Sequence, residues 1–221
     1  MVSVARGASG SRQGDFNERF IVLEGLDGAG TTTQLSLLAG AFRDAGMPVH
    51  ATFEPTDNQV GLLIRRILAR EIAVSAGTMA RLFVADRFEH LNDPGNGILS
   101  RLDRGEYVIC DRYLFSSLAY QSLGCGYETV RDLNASFPLP GVCVFLDVPP
   151  EECQKRMHGR AQVELYDELR IQQGILANYE LAFREFEEAG GTLLRVDGKL
   201  PKERLLSEIW SFLRKRPIVE M

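Results

Sequence analysis

Lysine is nearly missing from this chain: of its 25 basic residues only Lys155, Lys199, Lys202 and Lys215 are lysine, so none precedes position 155. Against 30 acidic residues the net charge is -5, which provides no global positive field for nucleic acid and leaves any anionic ligand to a local site. No apolar run approaches the length of about 18 residues that a membrane-spanning helix needs. Residues 1–17 are Ser-, Gly- and Arg-rich without the apolar stretch of an export signal. Cysteine is scarce too: Cys110, Cys125, Cys143 and Cys153 form no CxxC pair, and Cys110 and Cys143 sit inside apolar runs, as reduced buried thiols do. The sequence thus predicts a cytoplasmic protein with no membrane or nucleic-acid partner. With only His50, His90 and His158 available, no His-rich metal cluster, zinc spacing or Ser/His/Asp set stands out.

What is present is a regular alternation. Short continuous apolar runs at 19–24, 49–53, 107–110, 142–147 and 192–196 are separated by longer helical patterns, the pattern of parallel strands buried on both faces. Helices are expected at 58–70, 76–91, 98–104, 116–123, 128–136, 150–158, 165–190 and 202–216. A further helix follows the first strand, with Leu38, Ala41, Phe42 and Ala45 at helical spacing and Gly46 and Pro48 as stop signals. Five strands and about nine helices predict an α/β fold: a doubly wound, five-stranded parallel sheet with helices on both faces, its ligand site at the carboxyl ends of the strands. A disordered tail over 1–18, a single domain over 19–216 and a C-terminal tail over 217–221 complete the expected organisation.

Gly25, Leu26, Asp27, Gly28, Ala29, Gly30, Thr31, Thr32 and Thr33 follow the first apolar run and open the first helix. This is the setting of a phosphate-binding loop, whose glycines turn backbone N–H groups into a concavity at a helix N-terminus. The pattern GxxxxGK followed by Ser or Thr is met except at the lysine, where Thr31 stands; Thr32 keeps a hydroxyl for Mg²⁺. A second anchor is residues 108–113 (VICDRY), an apolar run ending in Asp111 and Arg112. A strand-end carboxylate beside a phosphate loop is a partner for Mg²⁺, and an adjacent arginine can hold a phosphoryl group bidentately.

Residues 20–34 (FIVLEGLDGAGTTTQ), 82–91 (LFVADRFEHL) and 110–121 (CDRYLFSSLAYQ) resemble, in order, three stretches of the thymidylate kinase family, and the likeness runs from about 19 to 197. The resemblance implies a P-loop kinase that uses ATP and Mg²⁺. It implies that Phe83 stacks on thymine, that Arg87 bonds a base carbonyl, and that Ser117 and Gln121 also read the base from the helix that begins at Ser116, itself counted among the substrate contacts. Tyr120 would disfavour a ribose 2′-hydroxyl, Arg65 and Arg112 would meet phosphate, and Asp27 would contact the acceptor nucleotide. Glu54 corresponds to the acid of an REP motif whose arginine is here Phe53. The family's lid falls around 155–165; because this phosphate loop carries no arginine, Arg156 and Arg160 are the expected catalytic lid arginines.

The function implied is transfer of the γ-phosphoryl group of ATP to dTMP, giving dTDP and ADP, by a homodimer. Because lysine is absent from the loop, a catalytically weak nucleotide-binding protein on the same fold is the alternative, and a kinase for another deoxynucleotide a third reading.

Overall fold

The computed structural model describes residues 16–157 and 169–216. Five parallel strands, β1 (Asn17–Gly25), β2 (Val49–Phe53), β3 (Tyr107–Asp111), β4 (Pro140–Asp147) and β5 (Thr192–Asp197), form one sheet in the order β2-β3-β1-β4-β5. Each expected strand is present. The first begins at Asn17, so the boundary placed at 18 falls inside a strand; residues 1–15 lie outside the described part, as do 217–221.

Ten helices are described: α1 (Thr31–Asp44), α2 (Gln59–Leu68), α3 (Ala76–Asn92), α4 (Ile98–Asp103), α5 (Leu114–Tyr120), α6 (Ser122–Cys125), α7 (Tyr127–Asn134), α8 (Pro150–Met157), α9 (Leu169–Glu188) and α10 (Lys202–Arg214). The count exceeds the expected nine because the helix after the DRY turn breaks at Gln121 into α5 and α6. The buried stripe of α1 is Leu35, Leu38, Ala39 and Phe42. Ala45, expected on that face, is exposed and caps the helix instead, the helix having ended one residue earlier.

The register explains where the site lies. Leu23 pairs with Asp111, and Asp111 with Phe53, so the segments after β1, β2 and β3 leave the sheet side by side. On the other flank of β1, Gly25 pairs with Leu146 of β4. The chain therefore reverses its direction of winding at β1, and the crevice above that strand is where a doubly wound sheet receives its ligand. Phe20, Ile21, Val22 and Leu23 are fully buried between helical layers, as are Val142, Val144 and Leu146 on β4, which is why these runs carry no alternating polar face.

Candidate active site

The phosphate loop owes its shape to two glycines. Gly30 caps α1 at φ 101°, and Gly28 has φ 89°, a region that side chains rarely occupy. A Cβ on Gly28 would lie 2.8 Å from the carbonyl oxygen of Cys153 in α8, so the loop also needs glycine to let α8 approach. In the first turn of α1 Gln34 N–H already donates to the Gly30 carbonyl at 3.1 Å, which leaves the N–H groups of Thr31, Thr32 and Thr33 as those a helix N-terminus offers to an anion. Thr31 is itself buried, whereas Thr32 and Thr33 are exposed.

Above the strand ends opens a cavity of about 940 Å³. Its wall contains Asp27, Gly28, Gly30, Thr31, Thr32 and Thr33 of the phosphate loop, Glu54 and Arg65, Phe83 and Arg87 of α3, Asp111 and Arg112, Ser116, Tyr120 and Gln121, and Arg156 of α8. Most residues singled out in the sequence thus meet in one cavity. Gly25 and Ala29 lie beneath it: Ala29 is 2% exposed, and a Cβ on Gly25 would sit 2.8 Å from that of Ala29. Arg160 and residues 158–168, the greater part of the expected lid, fall outside the described residues.

Thr32 Oγ1 donates to Asp111 Oδ2 at 2.6 Å, while the buried Oδ1 of Asp111 has no hydrogen-bond partner among the described residues. An unspent carboxylate oxygen beside a hydroxyl suits a hard divalent cation such as Mg²⁺. Among the described residues no cluster of three or more His, Cys, Asp or Glu could hold a metal.

Arg112 adopts φ 71°, a left-handed conformation uncommon for a side-chain-bearing residue. Its backbone N–H donates to Leu23 at 2.9 Å. Nη2 then meets Asp27 Oδ1 at 2.6 Å, and Nη1 donates to Ser116 Oγ at 3.1 Å and to the Tyr120 hydroxyl at 3.4 Å. The same hydroxyl accepts the Asp27 N–H at 3.1 Å. Phosphate loop and DRY turn are thereby locked together through Asp27, Arg112 and Tyr120. Burial holds the Tyr120 phenol well above its ordinary range, so it stays neutral.

At the other end of the cavity, Phe83 and Arg87 share a face of α3 as their spacing required. Arg87, however, is 1% exposed and committed to protein partners. Nε and Nη2 both reach Glu54 Oε2, at 3.0 and 2.7 Å, Nη2 also donates to Ser117 Oγ at 3.1 Å, and Nη1 donates to Asn134 Oδ1. Four of its five N–H groups are therefore taken. Ser117, expected to read a base, is 2% exposed and accepts from Arg87 Nη2, a residue of the cavity wall. Glu54 faces His90 Nδ1 with its other oxygen, at 3.1 Å. Arg65 lies over the Phe53 ring, 5.4 Å from its centroid, and donates to the Pro55 carbonyl.

Sequence reasoning missed Glu24 and Tyr179. Glu24, at the end of β1, is fully buried, and burial pushes its carboxyl up to about 7 against the pull of Arg112 and four hydrogen bonds. A lone acid closing an apolar strand was the available signal for Glu24; nothing in the pattern of α9 announced Tyr179. Phe53, Asp57, Arg66, Glu71 and Tyr113 also line the cavity.

With this geometry in hand, the comparisons converge. The family model described as thymidylate kinase matches residues 23–209. A Treponema pallidum protein named as a thymidylate kinase is 42% identical over 167 residues, 75% of this chain and 79% of its own. One from Pyrococcus abyssi is 39% identical over 176 residues, 76% of this chain and 84% of its own. The solved structure of thymidylate kinase from Candida albicans superposes with a TM-score of 0.76 at 22% identity, covering 92% of this chain and 94% of that one, a likeness of fold. With the family match spanning most of the domain and phosphate loop, DRY turn and α3 walling one cavity, this chain belongs to the thymidylate kinase family.

Proposed function

We propose that this chain transfers the γ-phosphoryl group of ATP to dTMP, yielding dTDP and ADP. The observation that carries the reading is the Asp27–Arg112–Tyr120 lock: it joins a phosphate-binding loop to an arginine and to an aromatic hydroxyl between the two ends of one cavity. ATP phosphates suit the N-terminus of α1, and thymine suits the end bounded by Phe83, Arg87 and Gln121.

The reaction asks the protein for positioning and charge, since an acceptor phosphate oxygen attacks in line and no covalent intermediate is needed. Arg112 supports the transferring phosphoryl group. Arg65, at the acceptor side, and Arg156, against the loop, contribute further positive charge. Thr32 and Asp111 would hold Mg²⁺, which when bound neutralises charge on the donor phosphates. Tyr120, wedged against Tyr179 with ring centroids 6.2 Å apart, leaves little freedom to accept a 2′-hydroxyl. Asp27 and Glu54 place Arg112 and Arg87 respectively, so both acids act through arginines as well as facing the cavity.

The same reading includes a homodimer and a reducing, cytoplasmic setting. Phe88 on α3 is 57% exposed and Leu123 on α6 45% exposed, on helices that pack together, and apolar side chains so placed suit an isologous contact. All four cysteines are free thiols, and no helix among the described residues is long and apolar enough to cross a membrane. Light scattering of the purified protein tests the dimer.

A coupled ADP-release assay with Mg·ATP and a panel of nucleoside monophosphates tests the activity. dTMP is expected to be the best acceptor. dUMP should lose roughly 10- to 200-fold in kcat/KM at most, the discrimination one methyl group provides. Equal or faster turnover of dCMP, AMP or GMP would overturn the assignment.

A further inference from the structure

Beneath the cavity floor, Glu24 does for α5 what a capping side chain does, but from another element. Tyr113 caps α5 without a side-chain bond of its own. Glu24 Oε1 instead accepts the backbone N–H of Tyr113 at 2.9 Å and of Ser116 at 3.1 Å, two of the donors a helix start leaves unpaired. Its other oxygen, Oε2, accepts the Ser116 hydroxyl at 2.7 Å and the Tyr179 hydroxyl at 2.8 Å. Arg112 Nη1 then reaches those two hydroxyl oxygens at 3.1 and 3.5 Å.

The order of these bonds matters. A hydroxyl that spends its proton on Glu24 has lone pairs left for the guanidinium. Oε1 faces two backbone N–H groups that cannot turn round, so a proton on this carboxyl belongs on Oε2. There it donates to one of the hydroxyls, which loses a lone pair for Arg112 Nη1 and turns its own proton to another acceptor, the Gly25 carbonyl 3.3 Å from the Tyr179 hydroxyl or the other hydroxyl 2.9 Å away, so the bonds around the guanidinium are rearranged. Protonation also removes the negative charge below Arg112. We propose that Glu24 is a positioning residue for phosphoryl transfer: its ionised carboxylate, acting through Ser116 and Tyr179, holds Arg112 in its working position, and its protonation releases that hold.

This deepens the kinase reading and rests on it. The groups facing the carboxyl are Arg112 from the turn, with Asp27 paired to it, Cys110 on β3, Tyr120 on α5, Cys143 on β4 and Tyr179 on α9. Burial drives both thiols and both phenols upward, away from neutrality, whereas Glu24 is pushed only to about 7. Activity lost between pH 8 and 6 through this site is therefore the titration of Glu24.

The experiment compares kcat of the full chain and of Glu24→Gln at saturating ATP and dTMP between pH 6 and 8. The ratio of the two cancels the titration of the substrate's own phosphate. Glu24→Gln is expected to lower kcat at pH 8 by about 10²-fold, to move KM for dTMP less than about threefold, and to abolish the wild-type rise, so that the wild-type-to-variant ratio grows about tenfold from pH 6 to 8. Glu24→Asp should restore part of both kcat and the pH dependence. A variant that folds with reduced thermal stability but keeps the wild-type pH profile, whatever its kcat, overturns the proposal. If Glu24→Gln does not fold, Tyr179→Phe removes one donor to Oε2 and should raise the wild-type midpoint; an unmoved midpoint also overturns it. Wild type inactive on dTMP would sink the kinase reading alone. Glu24 is then judged by carboxyl ¹³C and Arg112 Nε–H resonances, which should titrate together near 7; if either fails to move there, Glu24 does not hold Arg112.

Discussion

Arg87 and Glu54 form a fully buried ion pair in which two guanidinium nitrogens converge on one carboxylate oxygen, Glu54 Oε2, at 2.7 and 3.0 Å. The pair links α3 to the segment after β2 and fixes the arginine's plane by a third contact, to Ser117. Such a pair contributes little net stability relative to apolar residues, but it is costly to break on one side only. Glu54→Ala should therefore destabilise the protein by about 3–5 kcal/mol, because Arg87 keeps its charge while almost fully buried and without its acid. Urea unfolding measures this, and Arg87→Met added to Glu54→Ala should recover part of the loss. A single-variant loss under about 1 kcal/mol would show that Arg87 reaches solvent or another acid.

Arg112 is expected to act on rate more than on binding. Its removal leaves Asp27 without the cation 2.6 Å away and takes positive charge from between the two ends of the cavity. Arg112→Ala should lower kcat by at least about 10²-fold, with KM for ATP changing far less, since the helix N-terminus and loop amides are untouched. Retention of near-parental kcat would remove Arg112 from the phosphoryl path.

Much of this was legible in the sequence because it depends on neighbours in the chain. The strands were readable since burial on both faces leaves uninterrupted apolar runs such as 20–23, and the phosphate loop and DRY turn because backbone conformation ties them to glycine and to a strand end. What escaped depends on distant partners. Glu24 and Tyr179 are 155 residues apart, and only tertiary packing decides that the acid accepts from that phenol. Likewise Phe83 and Arg87 could be placed on one helical face, but not the fact that Glu54 claims most of the guanidinium. Ser117 could be placed on α5, but not its bond to Arg87.

Glu24 also predicts opposite pH trends for stability and activity. Its folded-state value of about 7 lies above the ordinary 4.5, so the folded chain binds this proton more tightly than the unfolded chain. The resulting stabilisation is fully present below about 4.5 and is lost as pH rises through about 7, amounting to roughly 3 kcal/mol at most. Stability from this group should fall between pH 5 and 8 while phosphoryl transfer rises. Unfolding free energies of wild type and Glu24→Gln across that range should differ in slope, the variant being flatter. Parallel curves would mean that the carboxyl is already ionised at pH 5.

Thr31 decides whether the phosphate loop of this chain supports full catalysis. Thr31 is buried at the first position of α1, where a lysine would have extended its ammonium toward the phosphates. The loop retains its amide concavity, since Gly28 and Gly30 keep their left-handed turns. Positive charge at this end comes from α8: Arg156 lines the cavity, with Nη1 3.4 Å from the Ala29 carbonyl, Nη2 3.0 Å from that of Gly198, and Glu152 Oε1 3.7 Å from Nε. Anchored on the loop itself, Arg156 needs only to exchange a carbonyl for a phosphate oxygen to serve the donor. If it does, Arg156→Ala costs at least about 10²-fold in kcat, as the loss of an arginine finger does, and Thr31→Lys changes kcat by less than about tenfold in either direction. Arg160→Ala, measured alongside, assigns any remaining share of that charge. A nearly inactive parent, rescued by orders of magnitude on Thr31→Lys and indifferent to Arg156→Ala, would instead identify a nucleotide-binding protein that lost turnover with the lysine.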